Sequence, residues 1–287
     1  MKPRQTRVRG ADGLELELYE WSEEGVALLL LHGFGNDAHV WDDFAPVVAP
    51  SYRTLALDLR GHGRSDPDPE ARYDQVSMAR DVEAALEGLG IERVVIVGHS
   101  MGGRVGMRFA SRNPEKLAGF VIVDSGPDLD LRGVSRIKEE AEAAPTSFAS
   151  VREYEELLSL NYPVTPPATL SRLARHWLRE RPDGRLEPRM DPALRSLRPT
   201  QRRGDVAAAL GREAESLWDV LAKLPCPTLV VRGAASDVLS PETADRMVDE
   251  VIPNARLEVV PRAGHAVMLD NPAGFELAVS AFVFGED

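Results

Sequence analysis

The chain of 287 residues has one cysteine and no long apolar run. A single cysteine excludes an internal disulfide, and the place of Cys226 between two prolines before a strand predicts a buried structural thiol. The longest aliphatic run, Val26 to Leu31, is far too short to span a bilayer. The basic start lacks the apolar segment that follows it in a signal peptide. We therefore expect a cytoplasmic protein that does not enter a membrane.

Positive charge is also scarce, since 34 Lys and Arg residues face 46 Asp and Glu residues and the net charge is -12. This balance argues against a nucleic-acid partner, because phosphate binding needs a concentrated basic surface. The sequence has neither a Walker loop nor an H-E-x-x-H pair, so no cofactor and no metal are predicted. The glycine- and arginine-rich segment from Asp58 to Asp66 is interpreted as a structural loop. A small-molecule substrate is the expected partner, and the sequence leaves the oligomeric state open.

Short aliphatic runs predict the strands of a parallel sheet. They alternate with stretches of helical periodicity such as Gln75 to Leu89, and this order is typical of a sheet covered by helices on both faces. A further segment, Leu14 to Trp21, alternates apolar and acidic residues and predicts a half-exposed strand near a sheet edge. The aliphatic runs are Val26 to Leu31, Thr54 to Leu59, Val94 to Val97, Gly119 to Val123, Thr228 to Val231 and Leu257 to Val260.

Between Ser125 and about Leu224 the strand pattern stops. Helical stretches such as Glu153 to Leu160 and Leu170 to Arg179 replace it, interrupted by prolines. The sequence therefore predicts a core domain of residues 1–126 and 217–287, with residues 127–216 inserted as a helical cap.

A serine follows the third aliphatic run in the segment Gly98-His99-Ser100-Met101-Gly102. It fits G-x-S-x-G, in which small residues flank a nucleophilic serine held on a strained turn between a strand and a helix. The alternative for so short a motif is a plain glycine-rich turn. The motif predicts Ser100 as a nucleophile if a base and an acid can reach it.

A serine hydroxyl needs a base within hydrogen-bond reach and a carboxylate that orients the base. His265 lies in a loop just after a predicted strand, and Asp237 occupies the same kind of place one strand earlier. Ser100, Asp237 and His265 thus occur in the order serine, acid, histidine, each after a parallel strand. Asp124, after the strand that ends at Val123, is a second possible acid.

The expected chemistry also needs donors for a developing oxyanion. The segment from His32 to Gly35 leaves a strand, and its glycines allow close approach of the backbone to a ligand, so the Phe34 N–H is one predicted donor. The N–H of Met101, at the start of the helix after the serine, is the other.

These segments resemble the α/β-hydrolase superfamily, from LLLLHGFG through ALDLRGHGRSD and VGHSMGG to RGAASD and AGHAVMLDNP. The resemblance implies an eight-stranded, mostly parallel sheet. It implies Ser100 as nucleophile, His265 as base, Asp237 as the orienting acid, and Phe34 and Met101 as oxyanion donors. Relatives that dehalogenate or open epoxides have aspartate at the position of Ser100, so the serine argues against both activities. The activities left open are those of the relatives that use serine: esterases, lactonases, peptidases, carbon-carbon bond hydrolases and perhydrolases.

The leading hypothesis is a carboxylic-ester hydrolase that forms an acyl-enzyme, with Trp41 among the residues lining its acyl pocket. From Arg172 to Arg212 the chain has eleven arginines and five acids. This stretch predicts a solvated face, or else arginines that hold a substrate carboxylate together with Arg104. The second reading favours a carbon-carbon bond hydrolase or lyase acting on an anionic keto acid or dicarboxylate. A third hypothesis is a non-catalytic ligand receptor.

Overall fold

An eight-stranded sheet forms the centre of the computed structural model, which describes residues 2–195, 213–214 and 216–285. The strand order is β1-β2-β4-β3-β5-β6-β9-β10, and strands β7 and β8 form a separate hairpin. The strands are β1 (Arg4–Arg9), β2 (Glu15–Glu20), β3 (Val26–Leu31), β4 (Tyr52–Leu57), β5 (Val94–His99), β6 (Leu117–Val123), β7 (Leu178–Glu180), β8 (Leu186–Pro188), β9 (Thr228–Gly233) and β10 (Ala255–Val260).

Strands β1 and β2 pair antiparallel, β2 pairs antiparallel with β4, and the other neighbours in the sheet are parallel. The mostly parallel eight-stranded sheet is therefore confirmed. The register aligns Leu31 with Gly98 and His99 with Val123, so β3, β5 and β6 end at the same edge. Loops after these strands are brought together there, as is general in open α/β sheets.

Helices connect the strands and cover both faces of the sheet. Short 3₁₀ segments occur at Ala11–Gly13, Ala38–Trp41 and Pro114–Lys116, and a π-helix at Arg246–Val251. The α-helices are α1 (Ala45–Val48), α2 (Gln75–Gly88), α3 (Met101–Arg112), α4 (Leu131–Ala143), α5 (Val151–Asn161), α6 (Pro167–Trp177), α7 (Pro192–Arg195), α8 (Pro241–Asp245), α9 (Val267–Asp270) and α10 (Pro272–Val283).

Two hydrophobic clusters lie on opposite faces of the sheet. In β3, Leu29 and Leu31 belong to one cluster while Leu28 and Leu30 belong to the other. Side chains of a strand alternate between its faces, so a strand buried on both must be apolar at consecutive positions. This explains why the central strands were recognisable as continuous aliphatic runs.

Three elements differ from the sequence-based expectation. Strand β2 lies in the segment predicted to be a half-exposed strand, but it is buried from Leu16 to Glu20. Strand β1 was not predicted, because RQTRVR has three arginines and only one aliphatic side chain. The hairpin of β7 and β8 lies in the segment expected to be helical, and the residues at Leu178 and Arg179 belong to it instead of to α6. Cys226 is buried and free, as predicted.

The segment between β6 and β9 contributes no strand to the central sheet over its described residues. Its helix α6 does contribute to a core cluster, since Leu173 and Trp177 pack in the same cluster as Phe44. The predicted boundaries of a cap at 127 and 216 stay a prediction, and residues 196–212 and 215 lie outside the described residues. Across the part of the chain that the structure describes, no helix combines the length and apolar character needed to cross a membrane.

The loop after β4 contains a fully buried arginine. Arg60 donates to Asp81 at 2.6 and 2.8 Å, to Asp68 at 2.9 Å and to Asp12 at 3.2 Å. Asp68 and Asp81 are as inaccessible to solvent as Arg60 itself. Removing one partner of such a network leaves buried charges without compensation. Arg60, within the segment from Asp58 to Asp66, thus links helix α2 to the loops that carry Asp12 and Asp68.

We expect Arg60→Met to lower the free energy of unfolding by about 3–5 kcal/mol, because buried Asp81 loses its ion-pair partner and Asp68 keeps only its pair with Arg72. Urea unfolding followed by circular dichroism measures the change. The matched control is Arg152→Met, whose ion pair with Glu156 joins side chains that are 86% and 69% exposed. The control should cost no more than about 0.5 kcal/mol. Equal effects of the two substitutions would contradict the buried-network account.

Candidate active site

Ser100 occupies the turn between β5 and α3 in a backbone conformation that is rare for a side-chain-bearing residue, with φ 51° and ψ -115°. Such a conformation costs about 1–3 kcal/mol and is held by its surroundings. The Ser100 N–H donates to the Val123 carbonyl at 2.9 Å. A Cβ atom at Gly102 would lie 2.3 Å from the Leu31 carbonyl oxygen, so only glycine fits there. The turn therefore has the strained geometry expected of the G-x-S-x-G motif.

The structure brings Ser100 and His265 together, as the sequence predicts. His265 lies in the loop between β10 and α9, and its Nε2 is 2.9 Å from Ser100 Oγ. Its Nδ1 is 2.7 Å from Asp124 Oδ2. Because a carboxylate only accepts, Nδ1 is the protonated nitrogen, and Nε2 is left with a lone pair for the serine hydroxyl.

The acid beside His265 is Asp124, and the prediction that Asp237 holds this position is wrong. Asp124 follows β6 directly, has no solvent-exposed side-chain surface, and also accepts from Gly233 N–H at 3.0 Å and Ser236 Oγ at 2.5 Å. All of these bonds hold one carboxylate in place. Asp124 was the second possible acid in the sequence, recognisable because it follows an aliphatic run.

Asp237 is engaged elsewhere. Arg136 of α4 donates to both of its carboxylate oxygens, at 2.7 and 2.9 Å, and also to Glu140 at 2.9 Å. The guanidinium lowers the pKa of Asp237, whose side chain is 40% exposed. Nothing in the sequence indicates that Arg136 contacts Asp237, because the two residues are 101 positions apart.

His99, next to Ser100, supports the His265 loop. Its Nε2 donates to the His265 carbonyl at 2.8 Å. Burial of the ring lowers the pKa of His99 to about 3, so the imidazole is neutral and its other nitrogen, Nδ1, carries no proton. Nδ1 lies against Gly33, where a Cβ atom would be only 2.7 Å away. The ring of His99 is thus packed between the turn of Ser100, the His265 loop and the turn after β3.

The turn after β3 directs the N–H of Phe34. His32 Nδ1 donates to the Gly33 carbonyl at 2.8 Å, while His32 Nε2 accepts from the Leu59 N–H at 3.0 Å. Burial holds the pKa of His32 well below its usual value, which keeps this neutral tautomer. In a trans peptide the carbonyl and the next N–H point in opposite directions. Fixing the Gly33 carbonyl therefore turns the Phe34 N–H away from His32.

A similar constraint acts on Met101. The Ser100 carbonyl accepts from Ser125 Oγ at 2.7 Å and from the Arg104 N–H at 3.2 Å. The Met101 N–H consequently points the opposite way, and as the first residue of α3 it has no partner within the helix. A Cβ atom at Gly33 would lie 3.3 Å from Ser100 Cβ, so the two turns that carry Phe34 and Met101 are in contact.

Two other predicted contacts are not at the site. Trp41 is fully buried and packs against Phe275 in the core, so it does not line a pocket open to substrate. Arg104 is 7% exposed and donates to the carbonyls of Gly126 and Pro127, both at 3.0 Å. The sequence alone does not give the direction of either side chain.

The basic stretch from Arg172 to Arg212 is described as far as Arg195. Several of its arginines pair with acids or carbonyls: Arg172 with Asp43, Arg179 with Glu187, Arg181 with Asp183, Arg185 with Ser147 and Arg195 with Ala144. Arg198, Arg202, Arg203 and Arg212 lie outside the described residues. Among the described side chains, the group with metal-ligand spacing does not include Ser100, Asp124 or His265.

Several known proteins are similar to this chain. Pimeloyl-[acyl-carrier protein] methyl ester esterase of Aeromonas hydrophila is 31% identical over 274 residues, covering 91% of this chain and 96% of the relative. The 2-(acetamidomethylene)succinate hydrolase of Mesorhizobium japonicum is 26% identical over 259 residues, covering 90% and 88%. The crystal structure of an E-2-(acetamidomethylene)succinate hydrolase superposes with a TM-score of 0.83 at 24% identity, covering 98% of this chain and 99% of that one.

A sequence model of the alpha/beta hydrolase fold matches residues 26–272, which include every strand of the central sheet except β1 and β2. With the sheet order and the strained serine turn, this match establishes that the chain belongs to the alpha/beta hydrolase family.

Proposed function

We propose that this protein is a serine hydrolase that cleaves a carboxylic ester of a small molecule through an acyl-enzyme intermediate. The observation that carries the proposal is the continuous hydrogen-bonded chain from Ser100 Oγ through His265 to the buried Asp124. The esterase from Aeromonas hydrophila, similar over nearly its whole length, supports the ester as the bond cleaved.

In the proposed mechanism His265 Nε2 removes the proton of Ser100 as Oγ attacks the ester carbonyl carbon. Asp124 keeps the Nδ1 proton on the imidazole and stabilises the imidazolium that forms. The imidazolium then gives its proton to the departing alkoxide. His265 next deprotonates a water molecule, which attacks the acyl-enzyme, and the acid leaves as Ser100 regains a proton.

The N–H groups of Phe34 and Met101 are proposed to bind the oxyanion of each tetrahedral intermediate. Support comes from the two fixed carbonyls, Gly33 and Ser100, which turn these N–H groups away from internal acceptors. Fixed donors need little rearrangement when the charge develops, and one such donor contributes about 3–4 kcal/mol in other hydrolases.

We also propose that the inserted segment acts as a cap over this site. Three contacts join this segment to loops and to helix α9 at the end of the sheet that carries Ser100 and His265. Tyr162 accepts from Asn36 at 3.1 Å, next to the turn of Phe34. Thr165 donates to Asp270 at 2.7 Å, and the same carboxylate accepts from Gly264, beside His265. The third contact is the ion pair between Arg136 and Asp237.

A second candidate is cleavage at carbon in an anionic keto acid or dicarboxylate. The pair of Arg136 and Asp237 favours it, because a substrate carboxylate could replace Asp237 in the same two-point contact with the guanidinium. The relative named for a succinate derivative agrees with an anionic substrate. Comparison of a neutral p-nitrophenyl ester with anionic diketone and cyclohexadiene substrates separates the two candidates.

Ser100→Ala should lower kcat for p-nitrophenyl acetate by about three orders of magnitude or more, because the variant lacks the hydroxyl on which the acyl-enzyme is proposed to form. The fold should survive, as judged by circular dichroism. Stoichiometric labelling by a fluorophosphonate, located by mass spectrometry of peptides, should vanish with the hydroxyl. Label on another residue, or an alanine variant with substantial turnover, would refute Ser100 as the nucleophile.

Asp124→Asn should lower kcat about ten-thousandfold, since an amide facing Nδ1 donates a proton and favours the wrong imidazole tautomer. The matched variant is Asp237→Asn, which also replaces an acid after a parallel strand and should change kcat by less than about tenfold, because Asp237 binds Arg136 instead of His265. Steady-state kinetics of both, with melting curves as the folding control, give the comparison. A larger loss of kcat in Asp237→Asn than in Asp124→Asn would show that Asp237 is the orienting acid.

His99→Phe should reduce kcat about tenfold or more with little change in KM, because the His265 loop loses a buried donor worth about 1–3 kcal/mol. His99→Gln retains an N–H donor and should recover part of the loss. If both variants are equally impaired, the ring of His99 contributes by packing alone and not through its bond to His265.

A further inference from the structure

Three side chains with metal-ligand chemistry meet where the 3₁₀ turn Ala38–Trp41 packs against α6. They are His39 on the turn, Asp42 directly after it, and His176 in the last turn of α6. One potential ligand atom from each lies within 4.8 Å of the others. None of the three takes part in the proposed chemistry of Ser100.

We propose that His39, Asp42 and His176 form a binding site for a divalent transition-metal ion of the Zn²⁺ type. Two imidazoles and one carboxylate are a ligand set that such ions bind in proteins, with water in the fourth position. Mg²⁺ and Ca²⁺ prefer sites made of oxygen atoms, so the nitrogen-rich set selects against them.

The first two ligands are already at a suitable separation. His39 Nδ1 is 3.0 Å from Asp42 Oδ2 and 3.2 Å from Oδ1. Zinc bonds to imidazole and carboxylate are about 2.0–2.2 Å long, which places neighbouring ligand atoms of a tetrahedral site about 3.3–3.5 Å apart. Their spacing of three residues on a helical turn puts both side chains on one face.

The third ligand, His176, has to turn before it can bind the same ion. The rings of His39 and His176 are stacked, with centroids 3.5 Å apart and planes inclined by 23°. Lone pairs of imidazole lie in the ring plane, so the metal must open the stack by turning His176. The His176 side chain is half-buried, and its ring nitrogens have no hydrogen-bond partner among the described residues, so the ring can turn without breaking a hydrogen bond.

Neighbouring charges leave the Asp42 carboxylate available. Arg172, one turn before His176 on α6, has its two terminal nitrogens on Asp43 at 2.6 and 2.8 Å. Its Nε is 3.5 Å from Asp42 Oδ2, which is an ion pair without a hydrogen bond. The hydrogen bonds of Arg172 are thus made to Asp43, and the oxygen atoms of Asp42 stay directed at His39.

A bound metal would join α6 of the inserted segment to the turn that follows β3. Binding to the folded state alone raises stability according to the metal concentration and the dissociation constant. We therefore expect Zn²⁺, but not Mg²⁺, to raise the melting temperature of protein first stripped with a chelator. Isothermal titration calorimetry of the same protein should show one Zn²⁺ per chain.

His176→Ala should weaken Zn²⁺ binding by about a hundredfold or more and abolish the rise in melting temperature, since even outer-shell partners of a metal contribute ten- to hundredfold in affinity. Asp42→Asn should weaken binding in the same direction. The matched control is His265→Ala, which removes a histidine of the proposed active site and should bind Zn²⁺ as the unaltered protein does.

Zn²⁺ affinity that survives in His176→Ala would overturn the proposal, as would the absence of binding to the unaltered protein. So would loss of binding in His265→Ala, which would place the ion at the proposed active site. Melting curves of each variant in chelator show whether the fold is intact, and Asp42→Asn provides the independent test if His176→Ala is unstable.

Discussion

The buried carboxylate of Asp124 is the constraint on which the arrangement at the end of the sheet depends. It accepts from His265 of the loop after β10 and from Gly233 and Ser236 at the end of β9. Its own N–H donates to Val231 of β9 at 2.7 Å. The Asp124 carboxylate, which has no contact with solvent, therefore joins the loops after β6, β9 and β10. Hydrogen bonds to a charged group are strong in such a region of low dielectric constant. The direction of the His265 ring follows from them.

The parallel register extends this constraint to the serine. Because β5 and β6 end level with each other, Ser100 is held by a bond to Val123, the residue before Asp124. The glycine at 102 lets α3 begin directly against β3, where any Cβ would collide with the backbone. The strain at Ser100 is thus supported by close packing on two neighbouring strands, and the hydroxyl is presented at the level of His265 Nε2.

The sequence predicted the parts of the molecule that depend on local patterns. Strands buried on both faces were recognisable as aliphatic runs, and Ser100 by its flanking glycines. Strand β1 was not, because an edge strand rich in arginine has no such pattern. The choice between Asp124 and Asp237 could not be made in the same way, since both follow parallel strands at one edge of the sheet. The structure decides it, because His265 Nδ1 lies 2.7 Å from Asp124 Oδ2, while Asp237 pairs with Arg136 of a distant helix. Trp41 and Arg104 show the same limit, because their environment is set by tertiary packing.

The central claim, that His265 held by Asp124 activates Ser100, is tested most directly by a crystal structure of the protein inactivated with a phosphonate ester. The account predicts phosphorus bonded to Ser100 Oγ, a phosphonyl oxygen between the N–H groups of Phe34 and Met101, and His265 Nδ1 still on Asp124. A phosphonyl group on another residue, or a His265 ring turned to Asp237, would contradict it.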